Sequence, residues 1–296
     1  MDPFGVTCDT RLYVPRLGTE AALAALLEGF AHGRAVSVLS GPPGLGKTMV
    51  LHVLAARVAT ARCLHLPYAA LGIEELAHWA LALLGEAARP ERATNALAAT
   101  ALREPNAPLV LLVDDASALP APTARALREL VDALGGALRV IAAVVDDSRA
   151  SAAIAALGEG VLNVRLRHAL AAREVHAYVR GRIASAGASD AGARLGDEQI
   201  DWLAAESAGV PRIVNALATG LLRERGTASR IASARTDSED EACEDSRAAK
   251  TPRDPRIDGL LRARADASCD PAAAAAQQTP RAPRKRRRLR RSRGWY

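Results

Sequence analysis

Gly41-Pro42-Pro43-Gly44-Leu45-Gly46-Lys47-Thr48 is a complete G-x-x-x-x-G-K-[ST] phosphate-binding loop, and each fixed position has a physical reason. Glycines let the chain wrap closely around phosphate oxygens, so successive backbone N–H groups aim at the anion. A helix predicted to start near Lys47 adds the positive end of its dipole and its unpaired N–H groups. Lys47 is placed to reach the β- and γ-phosphates, and the Thr48 hydroxyl to sit on Mg²⁺. The predicted nucleotide-lining residues are therefore Gly41, Pro42, Pro43, Gly44, Leu45, Gly46, Lys47, Thr48 and Met49. The flanks agree: Ala35–Ser40 reads as an apolar strand, and Met49–Val58 has helical periodicity. A strand–loop–helix of this kind predicts a P-loop α/β fold that binds a nucleoside triphosphate.

The rest of the α/β pattern spreads outward from this loop. Cys63–Leu66, Leu109–Val113, Leu138–Val145 and Val161–Leu166 read as strands. Helical patterns at 72–86, 93–104, Pro122–Leu134 and 150–157 fall between them, after an amphipathic stretch at Glu20–Phe30. Alternating strands and helices indicate a parallel sheet flanked by helices. From about Ala171 the strand signals stop, and helical patterns at 171–186, 197–207 and 211–225 predict a small C-terminal lid. Pro211 suits a first helical position. The expected organisation is an N-terminal segment at 1–34, a P-loop core at 35–168, a lid at 169–225 and a disordered tail at 226–296. That tail is poor in large apolar residues and contains the low-complexity run Ala272–Ala276.

Charge is distributed unevenly. From Gly226 onward there are 17 basic and 10 acidic residues, leaving 22 against 23 before it, so the positive excess lies in the tail. Arg281–Arg293 holds nine basic residues and no acid. Such a run attracts nucleic-acid phosphates or an anionic membrane surface. No helix-turn-helix, zinc-finger or RNA-binding signature accompanies it. The four cysteines (Cys8, Cys63, Cys243 and Cys269) show neither C-x-x-C pairing nor metal-ligand spacing, which predicts reduced thiols and a cytoplasmic protein. The start Met1-Asp2-Pro3-Phe4 has no basic and apolar leader pattern, and no run of 18 apolar residues occurs.

Leu109-Val110-Leu111-Leu112-Val113-Asp114-Asp115 is the strongest strand signal, and it ends in two acids 66 residues after Thr48. This is the pattern of a Walker B element. Asp114 is the predicted Mg²⁺ partner of Thr48, and Asp115 the predicted base that orients or deprotonates the attacking water. With Lys47 and Arg212, Asp115 completes the predicted catalytic set.

Several segments together resemble the ExeA/GspA-type ATPases of the general secretion pathway, AAA+ proteins related to the TniB-type transposition ATPases. They are Phe4–Tyr13, Glu20–Leu23, the phosphate loop, Asp114-Asp115 and Gly209-Val210-Pro211-Arg212-Ile213-Val214-Asn215. Cys8 stands where that family has Pro, and Asp115 and Ser117 stand where it has Glu and Gln or His. The resemblance implies an AAA+ fold, ATP rather than GTP with Mg²⁺, and a homo-oligomer whose sites are completed by a neighbour's arginine. It also implies Arg212 as a lid residue reaching the γ-phosphate, Asp146 at the sensor-1 place, and Arg165 or Arg167 as arginine-finger candidates. Three functions stay open at this point. One is an ATP-hydrolysing machine for a secretion or envelope partner, peripheral to the inner membrane. The second is a DNA-associated transposition-type regulator. The third is a nucleotide-binding switch without turnover.

Overall fold

The computed structural model describes residues 1–224, which lie within one compact unit. The predicted disordered tail and its polybasic run at 281–293 lie outside the described residues. Five strands form one parallel sheet: β1 (Val36–Gly41), β2 (Arg62–Leu66), β3 (Leu109–Val113), β4 (Leu138–Val145) and β5 (Leu162–Arg165). Their order is β2-β3-β4-β1-β5, so β4, the fourth strand in the chain, sits between the strand of the phosphate loop and the strand of the two acids.

β3 reads as an unbroken apolar run because both of its faces are covered. On β3, Leu109, Leu111 and Val113 point to one face while Val110 and Leu112 point to the other. The first face meets α3 (Ile73–Leu83), α4 (Ala93–Leu102) and α5 (Ala121–Ala133). The second meets α1 (Leu17–Ala31) and α2 (Lys47–Arg57). Alanines on these helices let them approach the sheet closely, which explains a core with few aromatics. A further helix, α6 (Ser148–Ala156), lies between β4 and β5 in the chain.

A third cluster joins α7 (Ala172–Ala186), α8 (Ser189–Arg194), α9 (Asp197–Ser207) and a helix α10 over residues 211–224. The short α8 is a departure from the predicted three-helix lid; at six residues it has too little periodicity to be read from sequence. Two of these helices begin with a side-chain carboxyl or amide folded back on the preceding N–H: Glu174 on Ala171 and Gln199 on Gly196.

The N-terminal segment differs from the polar lead-in that its composition suggests. Phe4 is 2% exposed and belongs to the helical cluster, alongside Val175, Val179 and Val214. Buried Arg182 donates from Nε to the Pro3 carbonyl, and Thr219 donates to the Phe4 carbonyl. The chain thus starts on the C-terminal helices and crosses to the sheet at α1. Among the described residues no helix is long and apolar enough to cross a membrane.

Candidate nucleotide-binding site

The phosphate loop joins β1 to α2 at the carboxyl end of the sheet, where ligands of open α/β folds bind. Gly44 and Gly46 take φ of +80° and +92°, a region L side chains rarely adopt. A Cβ on Gly44 would also stand 2.9 Å from Val210 Cγ1, so the position needs glycine for close approach as well. Gly46 is the N-cap of α2 and carries no capping side chain. The first N–H groups of that helix therefore face the loop without an intrahelical acceptor, a ready anion site. Val50 is where helical bonding begins, with its N–H on the Gly46 carbonyl at 3.0 Å.

Lys47 Nζ donates to the carbonyls of Gly41 (2.8 Å) and Pro42 (3.0 Å), holding the ammonium inside the loop. Burial lowers its pKa, and the negative charges of Asp114, Asp115 and Asp146 oppose that shift. These three acids therefore lie within electrostatic reach of one lysine.

Asp114 follows β3, and its N–H still pairs with the Leu66 carbonyl at 2.8 Å. The Thr48 hydroxyl donates to Asp114 Oδ2 at 2.6 Å. That direction leaves the lone pairs of Thr48 Oγ1 open to a cation. Asp114 Oδ1 accepts the Asp115 N–H at 3.0 Å, which the left-handed turn at Asp115 (φ 48°) makes possible. Burial pushes the Asp114 carboxyl up, but the His65 ring, the Thr48 hydroxyl and the Asp115 N–H outweigh it and leave it below the usual carboxylate range. One hydroxyl and one ionised carboxylate suit Mg²⁺, which takes few protein ligands and keeps several waters. Among the described residues there is no group of three or more His, Cys, Asp or Glu that could hold a metal ion.

The other predicted residues are placed as follows. Asp115 is exposed at the carboxyl end of β3, next to Asp114. Asp146 follows β4, with its N–H on the Gly41 carbonyl at 3.3 Å. Arg212, at the start of α10, donates its backbone N–H to the Gly44 carbonyl at 3.2 Å, while its side chain is exposed. The first turn of α10 thus touches the phosphate loop directly. Arg165 and Arg167 are exposed at the end of edge strand β5, where both line a cavity of about 770 Å³ with Ser40, Asp146 and Asn163.

Three further residues contribute, to which the sequence assigns no role at the site. Arg16, just before α1, donates to the Leu45 carbonyl in the loop and, at 3.4 Å, to the His168 carbonyl. Ser117 Oγ accepts the Val145 N–H at 2.8 Å and ties the end of β4 to the turn after Asp115. His65 on β2 sits 3.7 Å from Asp114 Oδ2. Each is a polar residue at an element's edge, which sequence alone cannot distinguish from a solvated one.

This is a P-loop AAA+ fold: a five-stranded parallel sheet with the phosphate loop after β1 and the paired acids after β3, one strand apart. Residues 31–145 match the family model described as AAA domain. No curated protein matches the chain in sequence. The solved structure of Cdc6p from Pyrobaculum aerophilum is similar in fold, with TM-score 0.56 and 16% identity over 76% of this chain and 66% of that one. Domain III of the replication initiation protein DnaA from Thermotoga maritima gives TM-score 0.49 and 18% identity, over 75% of this chain and 90% of that one. The Thermotoga maritima RuvB Holliday junction branch migration motor gives 0.45 and 17%, over 74% and 65%. The chain thus spans slightly less than two thirds of the Cdc6p and RuvB chains.

Proposed function

We propose that this protein binds ATP with Mg²⁺ and hydrolyses it, using Lys47 on the phosphates, Thr48 and Asp114 for the metal ion, and Asp115 for the attacking water. The carrying observation is the 2.6 Å bond from the Thr48 hydroxyl to Asp114, made across 66 residues at the mouth of the phosphate loop. Bound Mg²⁺ would neutralise phosphate charge as it develops. The protein's own part is to cradle the phosphates on free N–H groups and to hold Asp115 beside them. Arg212 is the lid's candidate phosphate contact, since its backbone already bonds the loop at Gly44.

Turnover in this reading drives assembly of a secretion or envelope complex by a homo-oligomer. The support is the resemblance of Phe4–Tyr13 and Gly209–Asn215 to the ExeA/GspA-type ATPases. Phe4 and Val214, one from each segment, share one buried cluster. Binding without turnover is the second reading, favoured by the exposure of Asp115 and by its side chain, one methylene shorter than the glutamate of that family. The test is binding of a fluorescent ATP analogue with Mg²⁺ to the full-length protein and to Lys47→Ala. Saturable binding lost in Lys47→Ala is expected; a wild-type protein that binds no nucleotide would sink the proposal. ATPase assays with added DNA and with anionic vesicles then separate the readings. Stimulation by DNA alone would favour the transposition-type regulator, in which the 281–293 segment meets nucleic acid.

A further inference from the structure

We propose that His65 is a positioning residue for Asp114, supplying the outer hydrogen bond that holds the carboxylate in place for the metal ion. The inference rests on the nucleotide and Mg²⁺ reading above. Among the described residues three buried side-chain polar atoms have no hydrogen-bond partner: His65 Nε2, Thr94 Oγ1 and Arg182 Nη2. A buried polar atom without a partner is costly, so each asks for an explanation. His65 Nε2 is the one of these that stands beside Asp114.

Its surroundings fix where it points. His65 pairs in register with Leu112 across β2 and β3, which carries the ring to the side of Asp114. The His52 ring from α2 packs against it with centroids 4.3 Å apart. Nε2 then lies 3.7 Å from Asp114 Oδ2, beyond hydrogen-bond length, and has no hydrogen-bond partner among the described residues. Among the described residues Oδ2 accepts the Thr48 hydroxyl alone, and an ionised carboxylate oxygen can accept a second donor. Carboxylates that hold metal ions are regularly fixed by such outer donors, and removing the donor costs about 10–100-fold in metal affinity or activity. The alternative is that His65 only fills space against His52.

Two variants separate these. His65→Phe keeps a ring of similar shape and removes the donor, whereas His65→Gln keeps an N–H donor. A fluorescent ATP analogue is titrated into the full-length proteins in chelator, and then with increasing Mg²⁺. In His65→Phe the Mg²⁺ concentration at half effect should rise about 10–100-fold, with affinity in chelator within about twofold of wild type. His65→Gln should recover part of that shift. An unchanged Mg²⁺ midpoint in His65→Phe would overturn the proposal, as would an equal loss of affinity with and without the metal. A wild-type protein that fails to bind the analogue would instead refute the nucleotide reading itself.

Discussion

Replacing Thr48 by valine keeps the side chain's shape and deletes one hydroxyl, and the structure gives the size of the loss. That hydroxyl donates to Asp114 Oδ2 at 2.6 Å, a bond to an ionised group and so worth about 1.5–3 kcal/mol net. The Asp114 side chain is 17% exposed, so water can replace only part of it. A loss of about 2 kcal/mol is expected, roughly 30-fold in the unfolding equilibrium. For a folded region of this size that is about 4–8 °C in Tm. Urea unfolding of the nucleotide-free protein measures this term by itself. Nucleotide titrations with and without Mg²⁺ measure the second, where valine should abolish the affinity gained from the metal and leave the metal-free affinity nearly intact. Thr48→Ser should retain most of both. An unchanged urea midpoint together with an unchanged Mg²⁺ dependence would refute the reasoning, because the hydroxyl would then serve neither the carboxylate nor a cation.

Other outcomes follow from the same geometry. Asp115→Asn should bind nucleotide normally and lose at least about 100-fold in ATP turnover; wild-type turnover in that protein would remove Asp115 from the role of base. Phe4→Ala should destabilise the protein by about 3 kcal/mol, since it empties a position 2% exposed within the C-terminal helices. A change below about 1 kcal/mol in denaturant unfolding would mean that the N-terminal segment is not part of that core. The Tyr13 hydroxyl, raised chiefly by burial and also by Glu20, is pushed up to about 12. Its folded value lies above the unfolded value near 10, so the stability it contributes is complete below about pH 10 and is lost as pH climbs toward 12. A phenolate absorbance titration should show a late step that vanishes in Tyr13→Phe; a late step that survives would belong to another tyrosine.

The elements that the sequence made readable were those whose signal is local. The loop at Gly41–Thr48 carries its function in its spacing, and β3 declares itself by five apolar residues before two acids. β4 was readable to the residue because both of its faces are buried by helices. What stayed hidden depends on partners far along the chain. Arg16 resembles any charge at a helix start until the Leu45 carbonyl is seen beside it, 29 residues away. His65 looks like the polar half of an alternating strand, and only the pairing of β2 with β3 brings it to Asp114. Arg212 was identified for its side chain, whereas the contact present is made by its backbone. Phe4 in a polar stretch gives no hint that its pocket is built about 170–215 residues later.

The seating of that phenylalanine bears on how the chain folds. The bonds from Arg182 to Pro3 and from Thr219 to Phe4 span 179 and 215 positions, so they close loops that contain the whole sheet. Closing such a loop is entropically expensive until its contents are compact, which puts the docking of the first residues late in the folding sequence. Residues 3–4 are thus among the last to find their place. Damage to the Phe4 seat would therefore be felt first in the helices at 172–224, at the far end of the described residues, rather than in the strands that follow Phe4 in sequence.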